Sequence, residues 1–245
     1  MNKTYLYPYS AEEARRRNEM SLWRASHKAN LACKEEIELA IGTHFDGTHL
    51  EEGCAEGVIR EYGYKRVQWV LSHTIQQLDW SDRFSQANKE WARQTYIPKD
   101  RAHVTDLIIV SDPAVVDLFA TQFQCAYQEL GLFGPTQCEP NSFEKLDYEG
   151  KVLVLSTDTL KETYWTPQAQ LWYAHDGFGC SPKAIGRSIR CTCLGDGEMT
   201  RWNRTDFVGV LKDEFLPEWA KEKLMELKGQ EQNNDSPAMG GMTME

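Results

Sequence analysis

Residues 171–211 read LWYAHDGFGCSPKAIGRSIRCTCLGDGEMTRWNRTDFVGVL. From Arg187 to Leu194 the chain alternates. Ser188, Arg190 and Thr192 fall on one face of an extended segment, and Ile189, Cys191 and Cys193 on the other. Gly195-Asp196-Gly197 follows at once, and Asp-Gly between apolar runs is a strong hairpin signal. Met199–Leu211 then reads as the return strand, with Trp202, Phe207 and Val210 supplying apolar contacts and Gly209 marking a bulge. Gln170–His175 reads as a strand before it, and the DGFG of residues 176–179 as a turn. Short strands joined by glycine turns predict a small curled antiparallel β-module over 170–211, comparable in size to an SH3 barrel.

Working toward the N-terminus, KVLVLS at 151–156 predicts a further strand, and residues 132–149 an irregular acidic loop. VTDLIIVS, beginning at Val104, is short, apolar and β-branched, so it also reads as a strand, one that could lie beside 151–156. Between them Asp112-Pro113 places a cap and a first-turn proline before Val116, Phe119, Phe123 and Tyr127, which recur at helical spacing. Residues 10–97 are different: helical periodicity dominates. Ser10 with Glu13 has capping-box spacing, and Met20, Trp23, His27, Asn30, Cys33, Ile37 and Ile41 share one helical face. His27 and Asn30 within that stripe imply either hydrogen-bonded core residues or a polar pocket between helices. Further helices are expected over 51–62, 65–78 and from Ser85 through Ala92. Beyond the β-module, Pro217 opens an amphipathic helix, and GQEQNNDSPAMGGMTME is polar enough to be disordered. The expected fold is thus α+β: a helical bundle at 1–98, an α+β domain at 99–228, and a tail at 229–245.

Composition narrows the function. The 245 residues carry a formal net charge of −10, and residues 101–150 hold two basic against eight acidic side chains. That argues against broad electrostatic binding of nucleic acid. No run suggests a membrane span, and the N-terminus has no apolar signal core, so a cytoplasmic location is expected. Seven cysteines at irregular spacing read as free thiols of a reducing compartment. The sequence has no GxxxxGK[ST], GxGxxG, HExxH or G-x-S-x-G motif. No cofactor is expected.

Three kinds of chemistry compete in 171–211. His175, Cys180, Cys191 and Cys193 are zinc-ligand types, but their spacing lacks a C-x2-C knuckle, and strand parity sets Cys191 and Cys193 beside Ile189 in a core. Cys180 near His175 is a candidate thiol nucleophile. Arg187, Arg190, Arg201 and Arg204, with Trp202 between the last two and Asp176 and Phe178 in the adjacent turn, form a candidate binding edge, because guanidinium forks recognise carboxylate and phosphate. Strand parity forbids all four arginines from sharing one face.

The N-terminal half resembles a known but uncharacterised family, the domain of unknown function numbered 3849. The resemblance rests on YSAEEARRRNEMSLWRASHKANLACKEEIELAI (residues 9–41), HFDGTHL (44–50) and YGYKRVQWVLSHTIQQ (62–77), with W-x2-S-x3-N-x2-C, FDG and RVxxVL as its distinctive elements. The remainder resembles the companion domain found beside it in bacterial conjugative elements and phages. The resemblance implies a mobile-element accessory protein and carries no functional residues with it. The expectation is a non-enzymatic protein that binds a host or element protein, in the leading version to counter a nuclease-based defence such as CRISPR or restriction. The alternatives are a nucleic-acid-binding factor in transfer or replication, and a zinc or thiol enzyme centred on His175 and Cys180.

Overall fold

A computed structural model describes residues 4–100, 103, 105–184 and 186–234. The chain separates into two compact units, Met1–Glu129 and Leu130–Glu245. Among the described residues, no helix is long and apolar enough to cross a membrane.

The first unit is helical. α1 (Ala11–Arg16) is capped by Ser10, whose hydroxyl accepts from the Glu13 N–H. No proline or glycine interrupts residues 10–41, and the spacing there predicts a continuous helix. Instead Asn18 adopts φ +58°, and the Glu19 N–H closes back on the Ala14 carbonyl at 2.8 Å. This is a helix stop with asparagine in the left-handed position. α2 (Met20–His44) restarts after it. Gly53 and Gly63, both at positive φ, separate α3 (Cys54–Tyr62) from α4 (Tyr64–Gln77) and from the chain before it. Ser85 caps α5 (Gln86–Arg93), and Asp112 with Pro113 opens α6 (Pro113–Gln128).

Val115, Val116, Phe119, Ala120 and Phe123 of α6 bury into the same core as Ile37 of α2, Val58 of α3 and Leu71 of α4. The helical unit therefore extends to Glu129 rather than ending at 98. The strand expected from Val104 is also corrected. Val104 lies outside the described residues, and 105–108 form turns. The Ile109 N–H donates to the Thr74 hydroxyl at 3.1 Å, and the Val110 N–H to a Glu38 carboxylate oxygen at 2.7 Å. Leu107 and Ile109 are buried while Val110 is exposed. An apolar β-branched run thus spends its backbone groups on helix side chains, because among the described residues no strand pairs with it.

The second unit holds one five-stranded antiparallel sheet, ordered β4-β3-β2-β1-β5. Ahead of it comes the short helix α7 (Ser142–Lys145). β1 (Val152–Leu155) is an interior strand, buried at every position. It pairs with β2 and β5, and not with the described residues 105–111 of the expected strand. α8 (Pro167–Gln170) leads into β2 (Leu171–Asp176), and β3 (Ser188–Cys193) and β4 (Met199–Asn203) form the expected hairpin. The return strand does not run on to Leu211. A one-turn 3-10 helix at Arg204–Asp206 interrupts it, and β5 (Phe207–Val210) crosses to β1. The register between β1 and β5 shifts beside Gly209, where a Cβ would lie 2.1 Å from the Ser142 hydroxyl. One face of the sheet packs Leu153, Trp172, Ile189 and Phe207 against Tyr148. The other packs Val152, Val154, Leu171 and Tyr173 under Ala220 and Trp219 of α9 (Glu218–Asn234). α9 runs past Gly229, so the expected tail is helical to Asn234. Glutamate and glutamine there favour helix enough to carry one internal glycine.

Candidate functional site

The expected binding edge divides in two. Arg190 and Arg201 are direct cross-strand partners, and Asp176 stands opposite Arg190 on β2. The Arg190 guanidinium donates to the Asp176 carboxylate at 2.5 Å. Two like charges facing each other across a ladder repel, so Asp176 offsets one guanidinium and Arg201 remains exposed beside it. Arg187, just before β3, is exposed too. Phe178 is 85% exposed at the crest of the Gly177–Cys180 turn. That turn sits directly on the backbone of β3. A Cβ on Gly177 would lie 2.7 Å from the Ser188 carbonyl oxygen, and one on Gly179 would lie 2.3 Å from that of Arg187. The aromatic ring is therefore held out on backbone that cannot shift easily.

Arg204 and Trp202 leave this edge. Arg204 is 0% exposed. It donates to the carbonyls of Ser142, Phe143, Leu146, Gly179 and Cys180, the shortest bond being 2.6 Å, and its guanidinium lies 3.7 Å from the Tyr148 ring centroid. It ties loops together and presents nothing to a partner. Trp202 packs edge-on against Trp172 with centroids 5.5 Å apart, as parity with Ile189 requires.

The four suggested metal ligands do not converge. His175 lies on the sheet face of Tyr173, and its Nε2 bonds the Thr192 hydroxyl at 2.7 Å. Cys180, Cys191 and Cys193 lie in the core of the opposite face. Burial pushes the Cys180 thiol up to about 11 and the Cys191 thiol to about 12, so neither is a thiolate near neutrality and the nucleophile reading loses its chemistry.

A second site lies in the helical unit. A cavity of about 40 Å³ is bounded by α2, α4, the N-terminal segment and Pro98, Asp100, His103 and Leu107. From α2, Trp23 stacks on His27 with centroids 4.8 Å apart and planes 10° apart. From α4, Trp69 stacks on His73 at 5.5 Å and 18°. His103 reaches both Trp23 and His27 at 5.0 Å, and its Nδ1 lies 3.2 Å from an Asp106 carboxylate oxygen. Buried Arg66 donates to the Asn30 side chain and, at 3.1 Å, to the Ser26 carbonyl, which fixes the floor of the cavity. Burial lowers the His27 imidazole, and His103 lowers it further. His73 is only 3% exposed, and its Nδ1 has no hydrogen-bond partner. Burial alone depresses it to about 4.

His27 and Asn30 were legible as a polar interruption of an apolar stripe. His73, Trp69 and His103 were missed. The signal available was a repeated Trp-x3-His, at 23–27 and 69–73, because i,i+4 side chains stack on a helix. His103 gave no signal, since turns place it.

A family model described as Protein of unknown function (DUF3849) matches residues 6–128, a span that contains every residue of this cavity. No curated protein matches, and no solved structure matches.

Proposed function

The chain belongs to the family described as Protein of unknown function (DUF3849), and within it we propose that this protein acts by binding another protein. The observation that carries this reading is Phe178, 85% exposed on a turn whose glycines cannot accept a Cβ. A large aromatic displayed on fixed backbone loses little entropy on binding and is the type of residue that anchors interfaces. The turn that carries it rests on the backbone of Arg187 and Arg190, and Arg201 faces Arg190 across the ladder, on a chain of net charge −10. The complement is an apolar pocket rimmed by carboxylates. Nuclease centres gather such carboxylates to hold their metal ions. This supports the more specific proposal of a cytoplasmic mobile-element accessory that blocks a CRISPR or restriction nuclease. With Arg204 and Trp202 inside the fold, the nucleic-acid alternative has fewer groups to work with.

The full chain is expressed in a host with a defined CRISPR or restriction system, beside a Phe178→Ala variant. Retention of the defence nuclease and protection of an incoming plasmid are expected, and both should fall at least tenfold in the variant while its melting temperature holds. No retained nuclease and unchanged plasmid loss would sink the counter-defence reading. Salt-dependent binding of single-stranded DNA, lost on Arg201→Ala, would replace it with the nucleic-acid reading.

A further inference from the structure

We infer that the helical unit holds a divalent first-row transition-metal ion, of the zinc or ferrous class, between His27, His103 and Asp106. One ligand atom from each of these residues lies within 4.8 Å of the others, the only such group of metal-binding side chains among the described residues. Two imidazoles and one carboxylate match borderline divalent ions, and three protein ligands leave a coordination position open. The 3.2 Å between His103 Nδ1 and Asp106 Oδ2 is close to the roughly 3.3 Å that separates two ligands each about 2.0 Å from a tetrahedral ion. His27 needs to close by up to about 1.5 Å, from at most 4.8 Å to the roughly 3.3 Å of a tetrahedral pair. Its ring is already oriented, because Trp23 stacks flat against it and His103 packs against both rings at 5.0 Å.

His27 and His103 also line the adjoining cavity, which Asp106 does not, and an independent observation points to an occupant of that cavity. His73 lines it, is more than nine-tenths buried, and carries a partnerless Nδ1. A buried ring nitrogen without a partner is costly, and native structures seldom leave one without a reason. The cavity, at about 40 Å³, has room for an ion with one water. A water on the open coordination position would donate to that nitrogen, as groups around metal sites commonly do. Among the described residues the sheet unit offers no comparable arrangement: His175 lies on the opposite face from Cys180, Cys191 and Cys193.

This site is independent of the binding edge at Phe178, so either proposal can fail without the other. The test uses the full chain, stripped with chelator and titrated with Zn²⁺ by calorimetry, with Co²⁺ as a spectroscopic probe. One equivalent should bind. His27→Ala and His103→Ala should each weaken binding more than tenfold, and His73→Phe by about tenfold with the stoichiometry kept. On the unsubstituted protein the Co²⁺ complex should show tetrahedral visible bands without thiolate charge transfer, a readout that does not depend on any variant folding. Absence of saturable binding would overturn the proposal. So would thiolate bands, or binding lost on Cys191→Ala and kept in His27→Ala.

Discussion

In the sheet unit the buried guanidinium of Arg204 meets five carbonyls and an aromatic face. In the helical unit the buried imidazole of His73 leaves a ring nitrogen with no partner. Both groups are polar and enclosed, yet one is saturated and the other is open. The sheet unit spends its reactive residue types on its own architecture, with Arg204 pinning loops, Trp202 against Trp172, and the cysteines at 180, 191 and 193 filling a core. The helical unit gathers fewer such residues from distant positions and leaves them facing a cavity. Crowding of cysteine, histidine and arginine along a sequence is therefore a poor guide to a site; unsatisfied bonding capacity around a cavity is a better one.

Arg204→Leu removes the donors to several buried carbonyls, and each stranded group carries a cost. The expected loss is roughly 3–5 kcal/mol of stability for the sheet unit, read as a fall in urea midpoint. A loss below about 1 kcal/mol would show that water replaces the guanidinium and that the saturated picture is wrong.

A smaller effect is expected at His73, through pH. Its folded value near 4 lies below the ordinary 6.5, so the unfolded chain takes up the proton more readily. Its stability contribution is full above about pH 6.5 and is lost as pH falls toward 4, by up to roughly 3 kcal/mol. His73→Phe should flatten that part of the stability-versus-pH curve. An unchanged slope would mean that water reaches the ring and its folded value is the ordinary one, and the contrast with Arg204 would disappear.

The smallest effect concerns the thiols. Cys180→Ala should cost about 1 kcal/mol, a packing change with no chemical consequence. Native labelling near neutral pH should modify Cys125, the exposed cysteine, well before Cys33, Cys180 or Cys191, whose burial keeps them protonated. Fast labelling of Cys180 would restore a reactive site to the sheet unit.

Local patterns carried much of the fold. The caps at Ser10, Ser85 and Asp112, the Asp196-Gly197 hairpin and the parity of Ile189, Cys191 and Cys193 depend on neighbours a few residues away, and each is found in the structure. Where the reading failed, the deciding contact was remote. Residues 105–111 look like a strand, yet Thr74 and Glu38 take their backbone groups. Arg204 looks like a surface cation, yet carbonyls some 24 to 62 positions away hold it inside. Half of the histidine cavity showed as His27 and Asn30, and the other half arrived by packing.

Sequence alone determined the α+β class, the helical N-terminal part, the antiparallel module and the membership that residues 6–128 carry. These follow from periodicity and turn chemistry, which act over three to seven residues. Tertiary structure alone decided that α6 joins the helical core, that β5 leaves the hairpin for β1, and that His27, His73 and His103 face one cavity. Each of those outcomes turns on which distant group satisfies a buried donor, acceptor or apolar face, and no local pattern encodes that choice.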